Sequence, residues 1–364
     1  MKVAANRLDR GFRLYQEEYE AKALDVLRSG WYILGHEVSD FEKEFSEYIG
    51  SSYCVGVGNG LDALWIAFRV LGIGKGDEVI VQANTYIASV MGISINGATP
   101  VLIEPDEYYN IDVNRIEAAI TDRTKAILVV HLYGQASNMA DVMKIAQKYH
   151  LKVVEDCAQS HGACYNGQTT GTFGDIGCFS FYPSKNLGAF GDAGAMVMQS
   201  EELAHKARVI RNYGSEKRYY NEVVGANSRL DELQAGLLRV RLQHLPELQQ
   251  ERNNICNRYL TEIKNKNLIL PQVNSGCSTV WHQFVVRCKQ RDDFIKYLER
   301  YEIGSIIHYP IPPHLSKAYR YLGYHEGSYP IAEQYANEVL SLPLYNGMTD
   351  EELNYVIEKI NNYE

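Results

Sequence analysis

A lysine in the middle of the chain stands where a side-chain amine could do chemistry. Lys185 follows directly after a predicted strand, with aromatic residues before it and a glycine-rich stretch, Gly188–Gly194, after it. A lone lysine is usually a solvated surface charge, but these neighbours indicate the lip of a pocket rather than a charged helix face. An amine held in such a pocket can act as a nucleophile and form a Schiff base with a carbonyl compound.

An acidic residue emerges from another predicted strand earlier in the chain. Val153 and Val154 precede Glu155 and Asp156, and this apolar run predicts a buried strand. A buried carboxylate is costly unless it has a cationic partner. The pyridine ring of pyridoxal 5′-phosphate (PLP) would supply one, because a carboxylate beside its nitrogen keeps the ring protonated and able to accept electrons. The alternative is that Asp156 caps the next helix.

A glycine-rich turn predicts a place for a phosphate group. Gly56-Val57-Gly58-Asn59-Gly60 leads from a predicted strand into a helix that starts near Leu61. Glycines let the backbone approach a ligand, and a helix N-terminus offers unpaired N–H groups to an anion. The turn does not fit the Walker pattern, since no Lys-Ser/Thr pair follows. The alternative is a turn with no ligand.

The elements that must position these residues predict an α/β fold. Seven short apolar runs alternate with helical patterns: Tyr53–Val57, Glu78–Gln82, Thr99–Ile103, Ala126–Val130, Lys152–Asp156, Gly177–Phe181 and Gly194–Met198. Continuous apolar strands separated by helices indicate a mostly parallel sheet covered on both faces. Ligands bind such sheets at the carboxyl ends of the strands.

The pattern changes in the last third of the chain. The predicted elements are a long helix from Leu230 to Leu260 with a kink or break at Pro246, a strand at Gln283–Arg287, a helix at Asp292–Tyr301, a proline-rich turn at His308–His314, and helices at Ala332–Leu340 and Asp350–Asn361. We therefore predict two domains, residues 1–244 and residues 245–364. The length of 364 residues also exceeds the size at which single cores usually stop growing.

Composition and charge exclude several classes of protein. The formal net charge is −9, which argues against nucleic acid as a partner. The seven cysteines form no CxxC pair and have no histidine at zinc-ligand spacing, so we expect reduced thiols and no metal site. The first eleven residues lack the apolar core of a signal peptide, and no apolar run has the length of a membrane span. We expect a cytoplasmic protein.

Several motifs in a fixed order resemble one known family. They are SGWYILG (29–35), ANTYIAS (83–89), EDCAQSHGA (155–163), FSFYPSKNLGAFGDAGA (179–195), GANSRLDELQAGLL (225–238) and HYPIPPH (308–314). Together they span nearly the whole chain, and they resemble the DegT/DnrJ/EryC1/StrS family of PLP-dependent nucleotide-sugar aminotransferases. The resemblance implies a fold-type I architecture with a mostly parallel central sheet covered by helices, a smaller α+β C-terminal domain, and a homodimer with shared active sites.

The resemblance also implies a role for individual residues. Lys185 matches the Schiff-base lysine and Asp156 the partner of the pyridinium nitrogen. The other cofactor contacts match Gln159 at the phenolic oxygen, Tyr86 stacked on the ring, Gly58, Asn59, Gly60 and Ser180 at the phosphate, and Asn227 donated to the phosphate of the other subunit. The alternatives are that Tyr86 is a core residue, that Gln159 and Ser180 satisfy backbone groups, and that Asn227 caps a helix.

Within the family, local signatures resemble enzymes that aminate C3 of a dTDP-linked 3-oxo-6-deoxyhexose, with glutamate as amino donor and a dTDP-3-amino-3,6-dideoxyhexose as product. The implied substrate contacts are Tyr32, His161, Tyr182, His308 and Tyr309. His161 could instead be a core histidine, and the proline-rich loop could only close the domain interface. The competing functions are amination of a UDP-linked 3-keto sugar or a 4-keto sugar, dehydration, and a non-catalytic sensor. Dehydratases of the family carry histidine in place of Lys185.

Overall fold

The computed structural model describes residues 1–364, which form fifteen strands and thirteen α-helices. The strands are β1 Tyr53–Val57, β2 Glu78–Gln82, β3 Thr99–Ile103, β4 Thr124–Val130, β5 Lys152–Asp156, β6 Cys164–Tyr165, β7 Gln168–Thr169, β8 Ile176–Ser180, β9 Gly194–Met198, β10 Ser215–Lys217, β11 Tyr220–Asn221, β12 Leu268–Ile269, β13 Cys277–Ser278, β14 Phe284–Cys288 and β15 Val339–Leu342.

The helices precede, separate and follow these strands. They are α1 Leu8–Leu14, α2 Gln16–Ser29, α3 His36–Ile49, α4 Gly60–Val70, α5 Ile87–Ser94, α6 Ile116–Ala119, α7 Met139–Tyr149, α8 Glu201–Arg211, α9 Glu232–Gln243, α10 Leu245–Glu262, α11 Arg291–Arg300, α12 Pro330–Glu338 and α13 Asp350–Asn361. No helix combines the length and the apolar character needed to cross a bilayer.

The central sheet has seven strands in the order β1-β9-β8-β5-β4-β2-β3. The strands from β8 to β3 run parallel, and β9 pairs antiparallel with both β8 and β1. All seven predicted strands are present, which confirms the α/β fold. The parallel arrangement brings the carboxyl ends of β4, β5 and β8 to one edge.

Both faces of the sheet are buried, as the continuous apolar runs predict. In β2, Val79 and Val81 join a core that includes α4, whereas Ile80 joins a separate core that includes α7. The alternation follows from the strand period of two. Helices on both faces therefore hold the strand ends rigidly.

The C-terminal part builds a second core around the sheet β12-β14-β15. The long predicted helix is broken near Pro246, which is one of the two predicted alternatives: α9 ends at Gln243, and Pro246 lies in the first turn of α10, because proline needs no backbone N–H there. The predicted helix Ala332–Leu340 ends at Glu338, since the apolar residues that follow pair with β14 as a strand.

Candidate active site

Three strand ends carry polar residues to one place. Asp156 ends β5, Ser180 ends β8, and His131 directly follows β4. The backbone N–H of His131 donates to the carbonyl oxygen of Asp156 at 3.1 Å, which ties the ends of β4 and β5 together. Their common edge forms the floor of a cavity of about 600 Å³, a size typical of small-molecule sites.

The cavity collects most of the residues that the sequence singles out. Asn59, Gly60, Tyr86, Asp156, Gln159, Ser180, Tyr182, Lys185, His308 and Tyr309 all line it. They come from strand ends, from two helix N-termini and from the loop that follows β14 and α11. Residues from both parts of the chain therefore meet around the lysine.

Asp156 is a buried carboxylate with hydrogen bonds on both oxygens. Ser89 Oγ donates to Oδ2 at 2.7 Å, and the backbone N–H of Ala158 donates to Oδ1 at 3.1 Å. Burial raises the pKa of Asp156, while these two donors and the charge of Lys185 oppose the rise. A cation against this carboxylate would hold it ionised.

Lys185 is the cation of the cavity, and it is easily deprotonated. Burial lowers its pKa to about 8, against an opposing effect of Asp156. Burial and Lys185 also lower the pKa of His308 to about 4, so this histidine is neutral near pH 7. A lysine with a pKa this close to neutrality supplies the unprotonated amine that attack on a carbonyl requires.

The glycine-rich turn packs closely against the end of β8. A Cβ at Gly60 would stand 2.6 Å from the Cβ of Ser180, so only glycine fits there. Asn59 caps α4 by accepting the N–H of Asp62 at 2.8 Å. The first N–H groups of α4 beside Ser180 form a cradle suited to a phosphate.

The opposite wall of the cavity is made of aromatic and amide groups. Gln159 Oε1 accepts the backbone N–H of Tyr133 at 2.6 Å, and its Nε2 donates to Tyr309 Oη at 3.1 Å. The ring of Tyr309 lies 4.9 Å from that of Tyr86, which is half exposed toward the cavity. Tyr86 is therefore placed to cover a planar ligand rather than buried in the core.

Four predicted site residues do not line the cavity of their own chain: Gly58, Tyr32, His161 and Asn227. Gly58 N–H donates to Ser228 Oγ at 3.0 Å, and Tyr32 is exposed on the surface. His161 is corrected as a direct substrate contact, because it is fully buried with Nε2 at 3.0 Å from the carbonyl oxygen of Ser180. Asn227 forms a backbone bridge with Asn212.

A buried hydrogen-bonded network lies next to the site, and no sequence motif predicts it. Glu155 is fully buried, and its carboxylate accepts the N–H groups of Gly171, Phe173 and Gly174, each at 2.8 Å. His131 Nε2 lies 2.9 Å from Glu155 Oε2, and its Nδ1 accepts the N–H of Ser137. The proton of His131 is therefore on Nε2, and the lone pairs of the cluster are taken up by N–H donors.

The residues present fit PLP. The buried carboxylate of Asp156 requires a cation, which a pyridinium nitrogen provides. The N-terminus of α4 beside Gly60 suits a phosphate, and Lys185 lines the same cavity. Tyr86 provides an aromatic face, and Nε2 of Gln159 keeps one N–H free. These residues therefore offer partners for the pyridine nitrogen, the phosphate, the carbonyl carbon and the face of the ring.

Comparison with known proteins gives matches over almost the whole chain. The sequence profile of the DegT/DnrJ/EryC1/StrS aminotransferase family matches residues 14–361. The dTDP-3-amino-3,6-dideoxy-alpha-D-galactopyranose transaminase of Aneurinibacillus thermoaerophilus is 54% identical over 350 residues, 96% of each chain. The crystal structure of S. venezuelae DesV, 44% identical, matches with a TM-score of 0.97 over 99% of this chain and 98% of that chain.

A further solved structure is relevant to the cofactor. NtdA of Bacillus subtilis, with bound cofactor PMP, is 31% identical and has a TM-score of 0.90. The alignment covers 99% of this chain and 84% of that chain.

Proposed function

The chain belongs to the DegT/DnrJ/EryC1/StrS aminotransferase family, and from that premise we propose that it transfers an amino group from glutamate to C3 of a dTDP-linked 3-oxo-6-deoxyhexose. The product is a dTDP-3-amino-3,6-dideoxyhexose. The enzyme class and the PLP cofactor follow from the family; the sugar and the amino donor are the proposal. The observation that carries the reaction class is Lys185 in one cavity with Asp156.

The chemistry divides between the cofactor and the protein. PLP, when bound, supplies a reactive carbonyl and an electron-withdrawing ring. Asp156 holds the proton on the pyridine nitrogen, and Ser89 and Ala158 keep its carboxylate in place. Lys185 holds the cofactor and, once released as a free amine, moves the proton to and from the reacting carbon. Burial lowers the pKa of this lysine from its usual value, which favours the neutral amine that accepts a proton.

The walls of the cavity support a hexose as substrate. Tyr182, His308 and Tyr309 line the same cavity as Lys185, and the side chain of Tyr182 is exposed. His308 is braced by Ser341 Oγ at 2.7 Å from Nδ1 and by Gln283 Nε2 at 2.9 Å from Nε2. Rigid side chains fix which sugar carbon meets the reacting centre. We propose that Tyr182, His308 and Tyr309 select C3.

We propose a homodimer with shared sites as the working form. Trp31 and Tyr32 between α2 and α3, and Val223 and Val224 after β11, are hydrophobic side chains more than half exposed, which is typical of surfaces covered by another protein. A second copy seated there would supply Tyr32 and Asn227 to the neighbouring cavity. Isologous two-fold contacts are the commonest way to share such a site.

We propose a large domain of residues 1–244 and a small domain of residues 245–364, supported by the second core around β12-β14-β15.

We also propose a cytoplasmic location, supported by seven cysteines that are all free thiols.

The substrate is tested by assaying the PLP-loaded protein with glutamate and a panel of nucleotide-linked keto-sugars. We expect amination of dTDP-3-oxo-6-deoxyglucose or dTDP-3-oxo-6-deoxygalactose, detected as the amino product by mass spectrometry. Amination of the 4-oxo isomer alone would refute the C3 assignment and leave the enzyme class intact. Aspartate and alanine serve as alternative amino donors and test the choice of glutamate.

A further inference from the structure

A second cavity, of about 290 Å³, shares Ser184 and Lys185 with the cofactor cavity. Its other walls come from the N-terminal residues around α1, from the loop after Lys185, and from α9, α10 and the segment after β15. The lining residues are Asn6, Arg7, Leu8, Gly11, Phe12, Pro183, Ser184, Lys185, Gly188, Ala189, Phe190, Arg241, Arg252, Tyr345 and Asn346. They include no aspartate or glutamate, although the protein carries a net charge of −9.

Arg252 is a buried guanidinium in this wall that has no carboxylate partner. It is only 6% exposed, and its Nε and Nη2 donate to the carbonyl oxygens of Trp281 and His282 at 2.9 and 2.6 Å. Both acceptors are neutral, and Nη1 makes no hydrogen bond. Burial lowers the pKa of Arg252 to about 10, so the group stays charged near neutral pH. A buried charge without a counter-charge is costly.

Arg241 is the second unpaired cation. Its Nε donates to the carbonyl oxygen of Asn186 at 3.1 Å, and the neutral hydroxyl of Tyr19 also lies against its guanidinium, but no carboxylate pairs with it. Its terminal nitrogens face Gly11, where a Cβ would lie 3.7 Å from Nη1 and 4.0 Å from Nη2. Arg7, in contrast, is already paired with Asp9 at 2.7 Å. Arg241 and Arg252 therefore leave several N–H donors free in one wall.

We propose that this cavity binds the oxyanion group of a substrate, a carboxylate or a phosphate, through Arg241 and Arg252. Guanidinium groups match the geometry of both anions and bind them through charge-assisted hydrogen bonds. The inference rests on the proposed function, in which the substrates are a dicarboxylic amino donor and a nucleotide diphosphate sugar. Both carry anions beyond their reacting atom, and the cavity borders the segment that holds Lys185.

Calorimetric titration of the PLP-loaded protein tests the site without turnover. The probes are glutarate, which has no amine, and thymidine diphosphate, which has no keto-sugar. We expect Arg241→Gln to weaken one of them about 10- to 100-fold, the range for loss of a hydrogen bond to a charged group. The probe that is weakened identifies the source of the anion. Arg13→Gln, an exposed position with the same change of charge, should leave both affinities unchanged.

A second pair of variants removes no arginine. Gly11→Asp places a carboxylate against Arg241, which should occupy the guanidinium and weaken binding of the probe. Gly11→Ala adds only the Cβ and should bind the probe as the wild type does. Melting temperatures establish that each variant is folded. The proposal is overturned if wild-type protein binds neither probe, or if Arg241→Gln and Gly11→Asp bind both as tightly as wild type. Intact anion binding without amination of any 3-oxo sugar would refute the proposed function and leave this site standing.

Discussion

Ser89 Oγ donates a hydrogen bond of 2.7 Å to Asp156 Oδ2. Ser89 lies on α5, and Asp156 ends β5, so the contact joins the helix that begins after Tyr86 to the floor of the site. The same helix thus positions the aromatic cover and the carboxylate below it. A helix shift would move both at once.

Loss of this donor should weaken the hold on the cofactor. In Ser89→Ala, a donor to the charged form is missing, so the pKa of Asp156 rises further and the carboxylate is a poorer partner for a pyridinium. We expect a loss of about 1 kcal/mol, or about five- to tenfold in PLP affinity, measured by absorbance titration of the cofactor-free protein. Ser94→Ala on the same helix is the control, because that hydroxyl bonds the carbonyl oxygen of Val90 and contacts Tyr319 rather than Asp156. Equal affinities for both variants would show that the contact is unimportant.

Reloading of the cofactor should depend on pH through Lys185. Attack on the PLP carbonyl needs the neutral amine, and burial lowers the pKa of this lysine to about 8 from 10.5. The rate of attachment to cofactor-free protein should therefore rise with pH to a midpoint near 8. Asp156→Asn removes a charge that raises the lysine pKa, so its midpoint should move lower. Stopped-flow absorbance measures both, and a wild-type midpoint near 10.5 would contradict the prediction.

The lowered pKa of Lys185 also makes the stability of the cofactor-free protein depend on pH. Because the folded cofactor-free protein binds fewer protons than the unfolded chain between pH 8 and 10.5, this group makes the free energy of unfolding rise with pH across that window. Lys185→Met should remove this contribution. Denaturant titrations at several pH values, with and without the substitution, measure the difference between the two slopes. Equal slopes with and without the substitution would show that the pKa of Lys185 is not lowered in the folded protein.

The shared-site proposal predicts complementation between inactive chains. Lys185→Ala should lower the transamination rate by at least about 10²- to 10⁴-fold, since it removes the proton-transfer group. Asn227→Asp should impair a contact given to the other subunit, through charge repulsion with the phosphate. Mixed dimers of the two variants contain one site with both native residues, so partial activity should return. Activity of a monomer at nanomolar concentration would exclude the proposal.

The close approach of Gly60 and Ser180 predicts a steric effect on phosphate binding. In Gly60→Ala, the new Cβ would stand 2.6 Å from the Cβ of Ser180, so the turn must shift at a cost of about 1–3 kcal/mol. We expect weaker PLP binding, measured by the same absorbance titration. The control is Ala63→Gly within α4, which adds no side-chain atom. Gly72→Ala would not serve, because Gly72 has a positive φ that a side chain would strain. Undiminished PLP affinity in Gly60→Ala would contradict the proposed cradle.

The central sheet was predictable because its strands are continuous apolar runs buried on both faces. The strand Val339–Leu342 was not, since an apolar run next to a helix is compatible with either structure until β14 is in place as its partner. The aromatic and glycine-rich neighbours of Lys185 and the apolar strand before Asp156 singled these residues out, and the family resemblance implied their roles. Ser89 and His131 both contact Asp156, one through its hydroxyl and the other through its backbone N–H, and no sequence pattern marks such contacts.

Residue order in β5 has a consequence for how this protein tolerates change. Glu155 and Asp156 are consecutive, so their side chains leave opposite faces of the strand. One holds the loop at residues 171–174 and the other faces the cofactor cavity. The strand is locked in register by the pairing of Glu155 with Gly177 and of Asp156 with Cys178. Insertion or deletion of a single residue upstream in this strand would turn each carboxylate to the opposite face. A change of length that a surface loop tolerates would therefore disrupt both the loop at residues 171–174 and the cofactor site.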